Sequence, residues 1–201
     1  NKKLEIDFES IPLDDRATYN LFKTGDTTGI FQFESPGMRR ALQTIHPDNF
    51  NDLYSVNALY RPGPMEFIPL YSRRKNGQEP TTYEIPELQP ILAETYGIII
   101  YQEQIMKIAV EIAGFTLAEA DLLRRAISKK NQQVLEKERQ HFIAGATKKG
   151  FDHAKANNVY NLIVKFADYG FPKSHAVAYT LISYRLAFFK ANEPTYFYVI
   201  P

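Results

Sequence analysis

Apolar side chains recur at three- and four-residue spacing through most of this chain, and the runs are separated by polar caps, prolines and glycines. Asp14-Asp15 stand before Ala17–Phe22, and Ser35-Pro36 pairs an N-cap serine with proline at the first helical position. Pro47 opens a segment over 48–60 in which Phe50, Leu53, Tyr54, Asn57 and Ala58 share one helical face. Arg61-Pro-Gly-Pro64 then breaks the chain. A helix over 65–75 and a polar loop, Asn76–Tyr83, are expected next. Tyr96-Gly-Ile-Ile-Ile-Tyr101 has the run of a short strand, and Gln102–Ala113 that of a helix. Thr116-Leu-Ala-Glu119 matches a capping box opening a basic helix over 117–130. Further helices are expected at 132–149, 153–168 and 174–191 and after Pro194, with Gly114, Gly150 and Gly170 near helix ends.

The class that follows is mainly α, a multi-helix domain with at most short β segments. Residues 4–11 alternate apolar and acidic positions, so 1–13 reads as a linker or strand leading into a helical domain over 14–201. The polar stretch near 76–90 is where that domain would subdivide. A start without methionine and an abrupt apolar end after Tyr196 are what a piece of a longer polypeptide would show.

Composition narrows the class further. No run of 18 or more apolar residues suggests a membrane span, and the charged Asn1–Asp7 stretch is no signal peptide. The absence of cysteine removes disulfides and thiolate metal sites and fits a cytoplasmic protein. The net charge of +1 is unevenly spread: residues 114–190 sum to +7, which leaves −6 for the rest. A basic half on a near-neutral chain suits an acidic partner, with nucleic acid or nucleotide the commonest, although lysine-rich surface helices produce the same count.

Two constellations stand out in that basic half. Tyr169-Gly-Phe-Pro-Lys-Ser-His175 is a Gly/Pro loop that delivers Lys173, Ser174 and His175 to the start of an apolar helix. A helix N-terminus offers free N–H groups and partial positive charge to an anion. On the helix over 117–130, Arg124, Arg125, Lys129 and Lys130 fall within seven positions. Adjacent arginines project about 100° apart, so one spot should not receive both, while Lys129 lies one turn beyond Arg125. A guanidinium matches two phosphate oxygens, yet Asp121 stands at i,i+4 from Arg125, where it would form an ordinary surface bridge. Tyr169 and Tyr179 offer faces for base stacking or for core packing. Arg61, in its rigid turn, and Gln102, in Tyr101-Gln-Glu-Gln104, are candidates for contacting nucleic acid or another domain.

What is missing matters as much. Phosphoryl-transfer enzymes hold paired divalent metals on closely spaced aspartates. This chain has no Asp-x-Asp, no His/Asp cluster at metal-ligand spacing and no Walker-type glycine loop. On its own it is expected to bind a polyphosphate rather than to catalyse its transfer.

The residues Thr28-Gly-Ile-Phe-Gln-Phe-Glu-Ser35, Tyr60-Arg-Pro-Gly-Pro64, Tyr96–Gln104, Ala120-Asp-Leu-Leu-Arg-Arg-Ala126 and Phe166–His175 resemble, in order and spacing, the fingers region of family C replicative polymerases, the bacterial DNA polymerase III alpha subunits. The resemblance runs over nearly the whole chain. Pro172 departs from it, since asparagine is common there, and should stiffen the turn. The resemblance implies a helical fingers domain closing on an incoming deoxynucleoside triphosphate. Arg124 and Arg125 would hold the triphosphate, with His175 and Tyr169 near sugar and base and Lys173 and Ser174 in the same loop. Arg61, Gln102, Lys129 and Lys130 would position or contact DNA. It implies Mg2+ bound by a palm outside this chain and no metal site or catalytic residue within it. Its implied partners are primed DNA template, dNTP, the palm and other domains of the same polypeptide, and replisome subunits reached through other regions, in a nucleoid-associated cytoplasmic setting. The alternative is a helical protein-interaction module whose basic face is incidental.

Overall fold

The computed structural model describes residues 7–129, 132–167 and 169–198. In chain order the α-helices among them are α1 (Arg16–Thr24), α2 (Pro36–Ile45), α3 (Phe50–Leu59), α4 (Ile68–Lys75), α5 (Gln89–Leu92), α6 (Gln102–Ala113), α7 (Leu117–Ser128), α8 (Gln132–Lys148), α9 (His153–Ala167), α10 (Lys173–Asn192) and α11 (Pro194–Tyr198). The chain is mainly α, as its spacing predicts. Neither the 4–11 stretch, for which linker or strand was expected, nor the Tyr96–Tyr101 run forms a strand among the described residues. Of the alternating 4–11 stretch, Phe8–Ser10 is a single 3-10 turn capped by Asp7, and 4–6 lie outside the described residues. The Tyr96–Tyr101 run is irregular and makes one isolated parallel bridge, from Tyr101 to Phe171. None of these helices is long and apolar enough to cross a membrane.

The chain divides into two compact units, Asn1–Tyr60 with Ser174–Pro201, and Arg61–Lys173. Its boundaries therefore fall at the Arg61 turn and at the start of α10, and 76–90 lies inside the second unit.

In the first unit, Asp15 caps α1 by accepting from the Thr18 amide at 2.8 Å, and Ser35 caps α2 ahead of Pro36. Phe22, Phe33, Leu42, Ile45, Leu53 and Tyr184 are fully buried together in its core, with Phe22 and Phe33 meeting edge to face at 5.3 Å. The buried face of α10 is partly polar. Ser183 donates from Oγ to the Phe31 carbonyl at 2.7 Å, and Tyr184 from its hydroxyl to the Pro12 carbonyl at 3.0 Å. Lys190, 5% exposed, donates from Nζ to the Asp26 and Thr28 carbonyls and to the Asp26 carboxylate at 2.9–3.0 Å. These bonds satisfy loop groups that a purely apolar helix would leave orphaned.

In the second unit, α6, α7, α8 and α9 pack around Ile105, Ile108, Ile112, Leu123, Phe142 and Tyr160. Gly114, at φ +72°, ends α6, and Thr116 and Glu119 form the expected capping box that starts α7 two residues later. Gly145 lets α8 approach α6 closely: a Cβ there would stand 2.1 Å from the Ala113 carbonyl oxygen. Ahead of α4, Pro64–Phe67 winds as a 3-10 turn, because Pro69 occupies the first turn of the α-helix proper.

Candidate functional site

Within the second unit, the segment leading to α10 is held by three other parts of the chain. Phe171 donates its amide to the Ile100 carbonyl at 3.0 Å and accepts from the Gln102 amide at 3.1 Å. The Gln102 side chain donates from Nε2 to the Gly170 carbonyl at 3.1 Å. Arg61 donates from Nη2 to the Tyr169 carbonyl at 2.6 Å and lays its guanidinium 4.5 Å from the centre of the Phe171 ring. Half-burial lowers the Arg61 pKa from its very high ordinary value. Gly63, at φ +100°, completes the clamp: a Cβ on it would sit 2.2 Å from Cε1 of Tyr169. The Arg61-Pro-Gly-Pro64 turn thus secures residues 169–171, with Arg61 placing one donor and its flat face on that loop.

The α7 arginines do reach one spot, contrary to the 100° separation of their Cα positions, because both side chains are long enough to bend back one turn. Arg124 donates from Nε and Nη2 to Asp121 Oδ1 at 2.9 and 2.7 Å, and Arg125 Nη2 pairs with Asp121 Oδ2 at 2.7 Å. Arg124 also donates from Nη1 to Gln102 Oε1 at 3.1 Å. Asp121's carboxyl is held below the ordinary carboxylate range, first by the Arg124 hydrogen bonds, against desolvation, and further by the charge of both arginines. Lys129 is exposed at the C-cap of α7, and Lys130 lies outside the described residues.

At the start of α10 the expected bare anion seat is already filled. The Lys173 amide donates to both oxygens of Glu103 at 3.0 Å, and its Nζ pairs with Glu94 at 2.6 Å. The cleft beside it, about 450 Å3, is lined by Glu94, Glu103, Lys107 and Lys173 with Ile91 and Gln104, so its four charges balance. Gln104 faces inward and accepts from the Ile100 and Tyr101 amides at 2.9 and 3.0 Å. The polar turn 101–104 therefore serves its own unit: Gln102 and Glu103 secure the 169–173 segment, and Gln104 its own helix start.

Ser174 and His175 belong to the first unit, and both are exposed. The His175 ring lies 4.0 Å from that of Tyr179, one turn on, and Tyr179 lies 5.8 Å from Phe31. Phe31 is 43% exposed and is fixed through its carbonyl by Ser183. Phe31 and Glu94 carry no local signal as site residues in the sequence, since each meets its partner across more than 75 positions. Among the described residues no three His, Asp or Glu side chains gather so as to hold a metal ion.

Residues 1–150 match the family model of the bacterial DNA polymerase III alpha subunit finger domain. The DNA polymerase III subunit alpha of Bacillus subtilis is 55% identical over 196 residues, 98% of this chain and 18% of its own length. The proteins of that name from Halalkalibacterium halodurans and Staphylococcus epidermidis are 53% and 52% identical over 193 and 195 residues. The chain spans 17–18% of the length of these curated relatives.

Proposed function

The chain belongs to the finger-domain family of the bacterial DNA polymerase III alpha subunit, and from that membership we propose that it binds the incoming deoxynucleoside triphosphate during template-directed DNA synthesis by the whole polymerase. The observation that carries this reading is the convergence of Arg124 and Arg125 on the two oxygens of one carboxylate. A phosphate offers a guanidinium fork the same pair of oxygens as that carboxylate, so two forks able to share one anion support the reading of a triphosphate grip. One negative charge facing two positive ones leaves this stretch of α7 attractive to a further anion.

The family resemblance assigns the Mg2+ of nucleotidyl transfer to a palm outside this chain, and on that reading the chain's part is binding and orientation by cations and N–H donors. For His175, the family resemblance supports a place at the sugar, and its stack on Tyr179 gives it a fixed ring. His175→Ala should then lower the ratio of kcat/KM for dNTP over rNTP. An unchanged ratio with reduced turnover would move His175 to the phosphates.

The test of the main reading uses the full-length polymerase. Simultaneous alanine substitution of Arg124 and Arg125 should raise the KM for dNTP, while affinity for primed template measured without nucleotide changes little. Weakened DNA binding with nucleotide kinetics intact would assign α7 to the DNA backbone instead.

A further inference from the structure

The loop between α1 and α2 turns one large ring outward and buries the apolar residues on either side of it. Ile30 and Phe33 are fully buried, while Phe31 is 43% exposed. Several bonds fix the loop in this shape. Thr27 donates from Oγ1 to the Phe33 carbonyl at 2.6 Å, and Gln32 takes a left-handed turn at φ +62°. Phe197 closes on Gly29, where a Cβ would stand 3.3 Å from its ring. From α10, Ser183 donates to the Phe31 carbonyl, and Lys190 gives its three ammonium protons three acceptors: the Asp26 and Thr28 carbonyls and the Asp26 carboxylate. A buried ammonium is costly unless matched in this way, so its partners are held in place as firmly as it is.

Phe31 lies 5.8 Å from the Tyr179 ring, and Tyr179 lies 4.0 Å from that of His175, each pair tilted by just over 30°. Three rings therefore run in series from the loop to the exposed histidine. His175 and Tyr179 are one turn apart on α10, so their own contact does not decide which rotamers the pair adopts. Phe31 reaches Tyr179 from a different element and does.

We propose that Lys190 and Ser183 are positioning residues for sugar discrimination: they fix the 26–33 loop so that Phe31 backs Tyr179 and Tyr179 holds the His175 ring in place. The proposal rests on the reading of His175 at the sugar and adds the device that keeps it there. A ring that excludes an extra hydroxyl must not yield to it, yet an exposed side chain has several staggered wells within reach. Each aromatic contact biases those wells by a factor of roughly two to ten. Lys190 is buried and spends its donors on the loop, so it acts through the loop rather than on a ligand.

Insertion of dNTP and rNTP by the full-length polymerase on a primed template tests this, read as the ratio of the two kcat/KM values. The ratio does not depend on how much of the enzyme is folded, so a merely structural loss cancels from it. Phe31→Ala should lower it about three- to tenfold, the scale of one lost ring contact. Lys190→Met keeps the apolar stem and leaves two carbonyls unpaired, and Ser183→Ala leaves one. Both should move the ratio the same way as Phe31→Ala, and by no more. Lys190→Met should add nothing to Phe31→Ala, nor Phe31→Ala to His175→Ala, because each acts through the next.

If His175→Ala lowers the ratio and Phe31→Ala does not, the sugar reading stands and the proposal falls. It falls too if Phe31→Ala acts undiminished in the His175→Ala background, since Phe31 would then meet the nucleotide itself. A folded Lys190→Met or Ser183→Ala enzyme with an unchanged ratio overturns it as well, and where Lys190→Met does not fold, Ser183→Ala carries the test. An unchanged ratio in His175→Ala removes the sugar reading and the proposal with it.

Discussion

Two cationic features of the second unit look alike in the sequence and differ in the folded protein. On α7, two arginines share the single carboxylate of Asp121, leaving a surplus of positive charge. At the start of α10, one lysine faces two carboxylates, its amide on Glu103 and its ammonium on Glu94, with Lys107 restoring neutrality in the same cleft. A helix N-terminus preceded by lysine is a site for anions, and here the protein's own acids occupy it. The lesson is that a count of basic residues gives the field of a segment only after its folded neighbours are known. Asp121 is local to its arginines, so its effect is readable along the chain, whereas Glu94 comes from 79 positions away.

The largest effect expected from this contrast is kinetic. In the full-length polymerase, replacing both Arg124 and Arg125 with alanine should lower kcat/KM for dNTP roughly 100- to 1,000-fold, the scale of losing hydrogen bonds between charged groups. Lys173→Ala should cost under about tenfold, since its ammonium is already neutralised by Glu94. Equal losses would erase the distinction between the two features and would mean that the Lys173 pair opens when nucleotide arrives.

The next effect is structural. Gly63→Ala places a methyl group 2.2 Å from the Tyr169 ring at a φ of +100° that side chains rarely adopt. It should destabilise the second unit by about 2–4 kcal/mol, combining backbone strain with overpacking. Thermal melting of the 201-residue chain measures it. A melting temperature equal to wild type would show that the 169–171 segment is not clamped by the Arg61 turn, and would remove the scaffold on which the α7 contrast rests.

Much of this architecture is legible residue by residue. Asp15, Ser35, Asn49 and Thr116 cap the helices they precede, and Gly114 stops α6, because caps are local and each satisfies amides within three positions. The Ile98-Ile-Ile100 run misleads because burial on all sides suits a strand, yet among the described residues its one bridge is to Phe171, through single bonds to either side of Tyr101. The anchoring role of α10 is hidden for the opposite reason. Its buried Thr180, Ser183 and Lys190 read as solvent-facing positions until their partners, Asn57 on α3 and loop carbonyls at Phe31 and Asp26, are in place. In the site, Arg124–Asp121 is visible as a three-residue step, but Arg124–Gln102 and Lys173–Glu103 depend on how helices cross, which periodicity does not report.

A smaller effect converts one feature toward the other. Glu94→Gln with Glu103→Gln removes two negative charges from the cleft while keeping an oxygen to accept from the Lys173 amide. The chain should then bind inorganic tripolyphosphate about three- to tenfold more tightly at low salt, with the gain shrinking at high salt as screening sets in. Titration calorimetry at two ionic strengths reads it. No gain would mean that geometry rather than charge keeps phosphate from the start of α10.

The smallest effect concerns Asp121 itself. Its carboxyl is held below the ordinary value of 3.8, first by the Arg124 hydrogen bonds. A group whose folded pKa is depressed binds fewer protons when folded than when unfolded, so its contribution is fully present above the unfolded value and is lost as pH falls through the folded one. Asp121→Asn removes that contribution. The melting temperature of wild type should therefore exceed that of the variant by a constant margin between about pH 5 and 7, and the margin should close as pH drops below the ordinary aspartate value. It should be small throughout, because the pair is solvated, and smaller still in concentrated salt. A margin that persists at acid pH would show that Asp121 orients the arginines through hydrogen-bond geometry that asparagine lacks, independent of its charge. The convergence on α7 would then be a matter of shape, and the surplus of positive charge there an accompaniment to it.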